Sequence, residues 1–171
     1  MTAGIEGNTA LVSGAGAGIG REIALALGRE GAAVAVADIA GEAAETVARE
    51  IESAGGRAVA FAADVADFAA AEQLVGRVAQ ELGDPTILVN NAGITRDTLL
   101  LRMSEADWDK VLAVNLKGAF NLTKHCARGM IKARRGRVIN IASVVGMMGN
   151  AGQANYAASK AGLIGLTKSV A

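Results

Sequence analysis

Thr9-Ala10-Leu11-Val12 runs straight into Ser13-Gly14-Ala15-Gly16-Ala17-Gly18-Ile19-Gly20, and a stretch with helical spacing follows over 19–30. An apolar run, a glycine-dense turn and a helix in that order form the opening half of a βαβ unit. The same alternation continues down the chain. Short apolar runs rich in Val, Ile and Ala predict buried parallel strands at 9–12, 33–37, 58–62, 87–89 and 137–141. Helical spacing predicts helices at 19–30, 41–53, 68–82, 106–133 and 154–171. In the second of these, Ala44, Val47, Ala48 and Ile51 share one face while Glu45, Arg49 and Glu52 fall elsewhere. The stretch 106–133 is long for one helix, so a break is expected near 115–118. Gly31, Gly55-Gly56, Gly83 and Gly136 separate helices from the strands after them, where a left-handed cap is wanted. The pattern predicts an α/β fold: a three-layer, Rossmann-type, doubly wound parallel sheet over residues 1–171 as one domain.

Composition narrows the function. The chain has 171 residues, with 17 Lys+Arg balancing 17 Asp+Glu. Zero net charge argues against nucleic acid as a partner, because phosphate neutralisation needs excess cations. One Cys and one His leave no disulfide framework and no Cys/His metal site within the chain. No apolar run approaches the ~18 residues that suggest a membrane span. Residues 1–8 lack the positive n-region of a targeting signal, so the expected compartment is the cytoplasm. With aromatics at 3% and Gly at 22 residues, the core must come from Ala, Val, Ile and Leu.

In open α/β sheets ligands sit beyond the carboxyl ends of the strands. The residues just after each strand are therefore the candidates: 13–20, Asp38, Asp64-Val65, 90–93 and Ser143. Glycines let the turn approach a pyrophosphate, and the helix N-terminus points N–H groups at it. The spacing G-x-x-x-G-x-G over Gly14, Gly18 and Gly20 departs from G-x-G-x-x-G, with Ile19 at the third glycine's place. Arg21-Glu22 excludes a Walker A loop. Asp38 stands 18 residues after Gly20, where an acid can bond both ribose hydroxyls of an adenosine. It would repel a 2′-phosphate, and Ile39-Ala40 supplies no Arg to neutralise one. This favours NAD(H) and leaves NADP(H) possible. The alternative is that Asp38 caps the helix starting near Gly41.

Tyr156 is the single tyrosine, and Lys160 lies one turn on along the same helix face. A phenol has a pKa of ~10, so proton transfer near pH 7 needs it lowered by ~3 units, or ~4 kcal/mol. One ammonium ~4 Å away at an effective dielectric of ~20 supplies about that much. Ser143 follows the fifth strand and brings a hydroxyl to the same sheet edge, able to hold a carbonyl oxygen. A serine nucleophile needs a base, and the single His, His125, lies in mid-helix, where such residues are usually surface or core fillers, which discounts hydrolase chemistry.

These residues resemble the short-chain dehydrogenase/reductase family. The shared elements are Ser13-Gly14-x3-Gly18-x-Gly20, Asp64-Val65, Asn90-Asn91-Ala92-Gly93, Asn115, Ser143 and Tyr156-x3-Lys160, in the family's order and spacing. Ser13 stands where the family more often has Thr. Within the family, Ile94-Thr95-Arg96-Asp97 and Gly152-Gln153-Ala154-Asn155-Tyr156 resemble the 3-oxoacyl-[acyl-carrier-protein] reductases. That resemblance implies NAD(P)-dependent interconversion of a carbonyl and a secondary alcohol, in fatty acid biosynthesis. Those reductases commonly use NADPH with an Arg in the glycine loop, where this chain has Ala17. The alternatives are an NAD-dependent dehydrogenase of another hydroxyacyl or secondary-alcohol substrate, or a non-catalytic dinucleotide-binding fragment.

The resemblance implies a catalytic set of Asn115, Ser143, Tyr156 and Lys160. It implies a cofactor site of Ser13, Gly14, Gly16, Ala17, Gly18, Ile19, Gly20, Asp38, Ile39, Asp64, Val65, Asn91, Ala92, Gly93, Tyr156 and Lys160, with no metal. Tyr156 would protonate the carbonyl, Lys160 would lower the Tyr156 pKa and bind the nicotinamide ribose, Ser143 would orient the carbonyl, and Asn115 would hold a relay water. Asp64 would meet the adenine amino group. Bland alternatives are a helix-break bridge for Asn115 and a cap or turn for Asp64. Arg128, Lys132, Arg134, Arg135 and Arg137 cluster at a helix end; they either complement the helix dipole or face an acidic acyl-carrier protein. Family members continue for about two more βα units, so the fold is expected to be incomplete on its C-terminal side. Leu163, Leu166 and Val170 are then expected to be exposed, unless pairing in a homo-oligomer, a dimer or tetramer, covers them.

Overall fold

The computed structural model describes residues 4–171. Part of the 1–8 reading, residues 1–3, lies outside them. Five parallel strands form one sheet: β1 (Thr9–Ser13), β2 (Ala33–Asp38), β3 (Arg57–Ala62), β4 (Ile87–Asn90) and β5 (Arg137–Asn140). Their order is β3-β2-β1-β4-β5, so the chain reverses direction across the sheet between β1 and β4. The register pairs Val12 with Val36 and Val89, which brings the ends of the three central strands level. β1 is buried along its whole length, as expected for a strand covered on both faces.

Helices α1 (Gly18–Arg29) and α2 (Gly41–Ser53) cover one face; α3 (Phe68–Glu81) and α5 (Gly118–Ala133) cover the other. Alternate strand residues divide accordingly. Val12, Val34 and Val36 join Ala44, Val47 and Ile51 in one core. Leu11, Leu88 and Phe61 join Leu74, Leu122 and Met130 in the second. The amphipathic face read for 41–53 is the buried one. Gly28 and Gly56 clasp Ile51: a Cβ on either would lie 2.7 Å from its Cγ2.

Three expectations need correction. The interruption expected near 115–118 is there, but as a change of helix type rather than a chain break. α4 (Glu105–Leu112), capped by Ser104, passes through a π turn at Ala113–Lys117 straight into α5. One extra residue per turn re-aims side chains without ending the helix. Secondly, Gly31, Gly55 and Gly83 do adopt positive φ, but the left-handed residue after α5 is Arg134 (φ 52°), not Gly136. Gly136 is needed for space, since a Cβ there would lie 2.6 Å from Met130 Sδ. Thirdly, Leu163 is buried (1% exposed), packed within α7 (Ala154–Val170), whereas Val170 is half exposed as expected. A short helix α6 (Val145–Met148) precedes α7 and was not foreseen.

β5 has β4 on one side and no further strand on the other among the described residues. Its outer flank opens on a groove between α5 and α7 lined by Phe120, Ile131, Val138 and Leu166, with Arg134, Arg135 and Arg137 at one end. The left-handed turn at a non-glycine residue costs about 1–2 kcal/mol. Arg134→Gly is therefore expected to raise the unfolding free energy by about 1 kcal/mol. Urea denaturation checks it; no gain would show that the turn is unstrained.

Candidate active site

The strand ends converge on a cavity of about 820 Å³ at the carboxyl edge of the sheet. Its wall includes Gly14, Ala17, Gly18 and Ile19 from the first turn, Asp38 and Ile39 after β2, and Asp64 and Val65 after β3. Asn91, Ala92 and Gly93 follow from β4, then Ser143, Tyr156 and Lys160. Residues from six separate chain segments thus meet in one place. Ser13, Gly16, Gly20 and Asn115 stand behind the wall and shape it.

The glycine turn is held by close approach and by a polar seam. A Cβ at Gly20 would lie 2.1 Å from the Gly14 carbonyl oxygen, and one at Gly14 would lie 2.8 Å from Ala92 Cα. Asn91 Nδ2 donates to the carbonyls of Ser13 (3.1 Å) and Gly14 (2.9 Å). Ser13 faces inward: its hydroxyl donates to the Val89 carbonyl and accepts from the Asn91 and Ala92 amides. A buried hydroxyl so engaged ties β1 to β4 and leaves the cofactor to the turn's backbone. The start of α1 has no side-chain cap. Its orphan amides are therefore free for an anion.

Asp38 does not cap α2; the residue before that helix is Ala40, which makes no side-chain cap bond. Asp38 Oδ2 accepts from the Gly16 amide and Oδ1 from the Ala40 amide, both at 2.9 Å. These bonds fix the carboxylate at the cavity wall with lone pairs left for two more donors. Asp64 accepts from the Ala66 amide (2.9 Å), so the turn reading holds for it, while Asp67 caps α3. Neighbouring Val65 is held by Asn121 (0% exposed), whose Nδ2 donates to the Val65 carbonyl.

Asn115 bridges. Its Oδ1 accepts from the Ile94 amide (2.8 Å), and its Nδ2 donates to the Ile94 carbonyl (3.0 Å) and to Ser159 Oγ (3.1 Å). Both amide hydrogens are engaged by protein, so a relay water would not sit on them. The π turn aims this side chain across to the segment after β4.

Lys160 is 4% exposed, and its Nζ donates to the Ile141 carbonyl (2.6 Å). The ammonium also lies 5.7 Å from the Tyr156 ring centroid, so the two side chains share one face of α7. No carboxylate pairs with it among the described salt bridges. Burial pulls the Lys160 pKa below the usual lysine value. An unpaired buried cation is costly and marks functional sites. Ser143 Oγ accepts from the Val145 amide (3.2 Å). α6 packs tightly on α7, because a Cβ at Gly146 would lie 2.8 Å from the Ala161 amide nitrogen. That contact fixes the Ser143 segment against the helix carrying Tyr156.

The family model described as short chain dehydrogenase matches residues 8–171. The chain belongs to the short-chain dehydrogenase family. It is 48% identical over 164 residues to 3-oxoacyl-[acyl-carrier-protein] reductase FabG of Thermotoga maritima, covering 96% of this chain and 67% of that one. It is 50% identical over 171 residues to (3R)-3-hydroxyacyl-CoA dehydrogenase of Rattus norvegicus, covering 95% and 66%. The solved structure of a short chain dehydrogenase from Mycobacterium avium superposes with a TM-score of 0.91 at 44% identity, covering 95% of this chain and 61% of that one. The chain thus spans about two thirds of the length of these curated relatives. Members of this oxidoreductase family use nicotinamide dinucleotides. The glycine cradle without room for Cβ atoms, the uncapped helix start and the anchored Asp38 fit such a group.

The sequence assigns no role to several contributors: Asn121, Asn155, Ser159 and Gly146. Asn121, Asn155 and Ser159 are fully buried polar residues, which only burial singles out. The remaining reactive candidates do little. Burial pushes the Cys126 thiol up to about 12, leaving it inert near neutral pH. His125 packs edge-on against Phe68 in mid-helix. Among the described residues no cluster of metal ligands occurs, and no helix is long and apolar enough to cross a membrane.

With its folded pKa depressed, Lys160 binds its proton less firmly in the folded chain than in the unfolded one. It therefore opposes folding at neutral pH, and the penalty fades as pH rises from the depressed value toward 10.5. Lys160→Met is expected to melt higher than the parent at pH 7, with the gap narrowing toward pH 10. A melting series checks it; a lower melting temperature at pH 7 would overturn the uncompensated-cation reading.

Proposed function

We propose that the chain carries the dinucleotide site and proton-transfer group of an NAD(H)-linked oxidoreductase interconverting a 3-oxoacyl and a 3-hydroxyacyl thioester. One observation carries the reading: the buried, unpaired Lys160 ammonium beside the Tyr156 ring, in the cavity shared with Ser143 and the glycine turn. Ser143 Oγ donates to the substrate carbonyl oxygen and orients it. Tyr156 gives that oxygen its phenolic proton. The Lys160 ammonium favours the phenolate left behind and holds ribose hydroxyls with its remaining N–H donors. A bound nicotinamide dinucleotide supplies the hydride. In the reverse direction Tyr156 takes the alcohol proton. Backbone amides at the start of α1, residues 18–20, hold the pyrophosphate, Asp38 the adenosine ribose, and Asp64, Val65 and Ile39 surround the adenine.

Asp38 supports NAD(H), since a carboxylate holding the adenosine ribose would repel a 2′-phosphate, and no Arg follows it to neutralise one. The name of the rat relative, a 3-hydroxyacyl-CoA dehydrogenase, favours oxidation as a second direction. The names of the bacterial relatives favour reduction of a carrier-linked substrate in fatty acid biosynthesis. We place this chemistry in the cytoplasm.

The basic cluster lies at the end of α5 and the start of β5, whereas Ser143 follows the end of β5. Within one chain the cluster and the cavity are at opposite edges of the sheet. Lys132 and Arg134 complement the α5 dipole there. An acidic carrier bound at the cluster would serve the cavity of a second copy, which ties carrier docking to a homo-oligomer.

Oxidation of NADH, followed by absorbance with an acetoacetyl thioester, tests the reading. Tyr156→Phe is expected to lower turnover by 10²–10⁴-fold with NADH affinity kept. Unchanged turnover would refute the assignment, and NADH binding without turnover in the parent would leave a dinucleotide-binding unit. Tighter binding of NADPH than NADH would overturn the reading of Asp38. Neutralising Lys132, Arg134 and Arg135 together is expected to raise KM for a carrier-linked substrate and not for a small thioester.

A further inference from the structure

Two fully buried polar side chains on α7 have no part in that scheme, and each immediately precedes a residue that does. Asn155 precedes Tyr156, Ser159 precedes Lys160, and both are 0% exposed. Asn155 Oδ1 accepts from the Tyr156 backbone N–H at 2.7 Å. Its Nδ2 donates to the Arg96 carbonyl at 3.1 Å and, more weakly, to the Asp107 carbonyl at 3.4 Å. Ser159 Oγ donates to the Tyr156 carbonyl at 2.7 Å and accepts from Asn115 Nδ2 at 3.1 Å. Both backbone polar groups of Tyr156 are thus engaged by flanking side chains.

The first amides of a helix lack partners within it, and Gln153, before α7, offers no side-chain cap. Asn155 supplies the missing acceptor at the one residue whose phenol must be placed. Its other end reaches outside the helix, to the segment after β4. That segment also holds Asn115, through both the amide and the carbonyl of Ile94. Asn155 therefore anchors to Arg96, and Ser159 anchors through Asn115 to Ile94. Residues 94–96 form one template for the first two turns of α7. Further along, Gly162 packs against Leu116, where a Cβ would lie 2.7 Å from Cδ2. That contact fixes the helix axis but not the rotation of its first turn.

We propose that Asn155 and Ser159 are positioning residues: they set the rotation of the first turns of α7 against residues 94–96, and with it the place of the Tyr156 phenol between Ser143 and Lys160. The inference rests on the oxidoreductase reading above. The chemistry demands an amide at 155, because Nδ2 faces two carbonyls and a carboxylate would set acceptor against acceptor. A misplacement of ~1 Å in a reacting group can cost about 100-fold in rate.

The test has two readouts, one of which needs no turnover. Tyr156 is the chain's single tyrosine, so ring-labelled tyrosine gives one NMR ring signal. In Asn155→Ala, Asn155→Asp and Ser159→Ala the ring signal is expected to move from its parent position. At the same time kcat is expected to fall at least about tenfold while KM and NADH affinity stay within about twofold. Val47→Ala, a core truncation under α2 that destabilises without touching α7, is expected to keep both kcat and the ring signal. A parent-like ring signal and kcat in the Asn155 and Ser159 variants would overturn the proposal. So would equal changes in Val47→Ala, which would mark a merely structural effect. Should Asn155→Ala fail to fold, Ser159→Ala decides on the same readouts. If the parent shows no turnover, the oxidoreductase reading fails, while the ring signal still decides whether Asn155 and Ser159 place the phenol.

Discussion

A cation removed from water with no counter-charge is the constraint around which the carboxyl edge of this sheet is organised. Lys160 has one backbone carbonyl, an aromatic ring nearby and no carboxylate. Left alone, such a group would draw water in or push its helix outward. The fold holds the helix in place. Gly146 brings α6 against the backbone at Lys160 and Ala161. Asn115 and Ser159 brace the helix from the π turn. The stabilisation withheld from folding is available when an electron-rich ligand enters, which is how a binding site comes to favour its ligand over emptiness.

The architecture was legible because its signals are local. Apolar runs marked all five strands to within a residue or two of their observed ends, and the G-x-x-x-G-x-G turn marked the first crossover. Asp38, Ser143, Tyr156 and Lys160 follow strands or share a helix face, so topology alone brings them to one cavity. What stayed hidden depends on tertiary contact. The π turn leaves no composition signal, since Ala113–Lys117 reads as ordinary helix. Leu163 looked like one more residue of an unpartnered helix, yet the inner face of α7 buries it. The left-handed residue after α5 fell on Arg134 because the steric need of Met130 had already claimed Gly136.

Asparagine carries much of the long-range order. Asn91 holds the glycine turn, Asn121 holds Val65, Asn115 holds Ile94, and Asn155 holds Arg96. Each reaches from one strand-end loop or helix to another, across gaps of 21 to 77 residues in sequence. A side chain with both donors and acceptors can satisfy two facing backbone groups at once, as Asn115 does with Ile94. Charged residues could not fill these places without a desolvation penalty. Ser13 plays the same part with a hydroxyl, lending an acceptor to two amides and a donor to one carbonyl.

Among the described residues β5 has no partner strand on its outer flank, and the exposed apolar side chains Ile139, Ile131 and Val170 lie on that side. Such an edge is a template for unwanted strand pairing. Arg134, Arg135 and Arg137 sit at one end of it, so two copies approaching edge to edge would bring like charges together. That barrier is electrostatic and weakens over a Debye length of ~8 Å at physiological ionic strength. Added electrolyte would dull that repulsion.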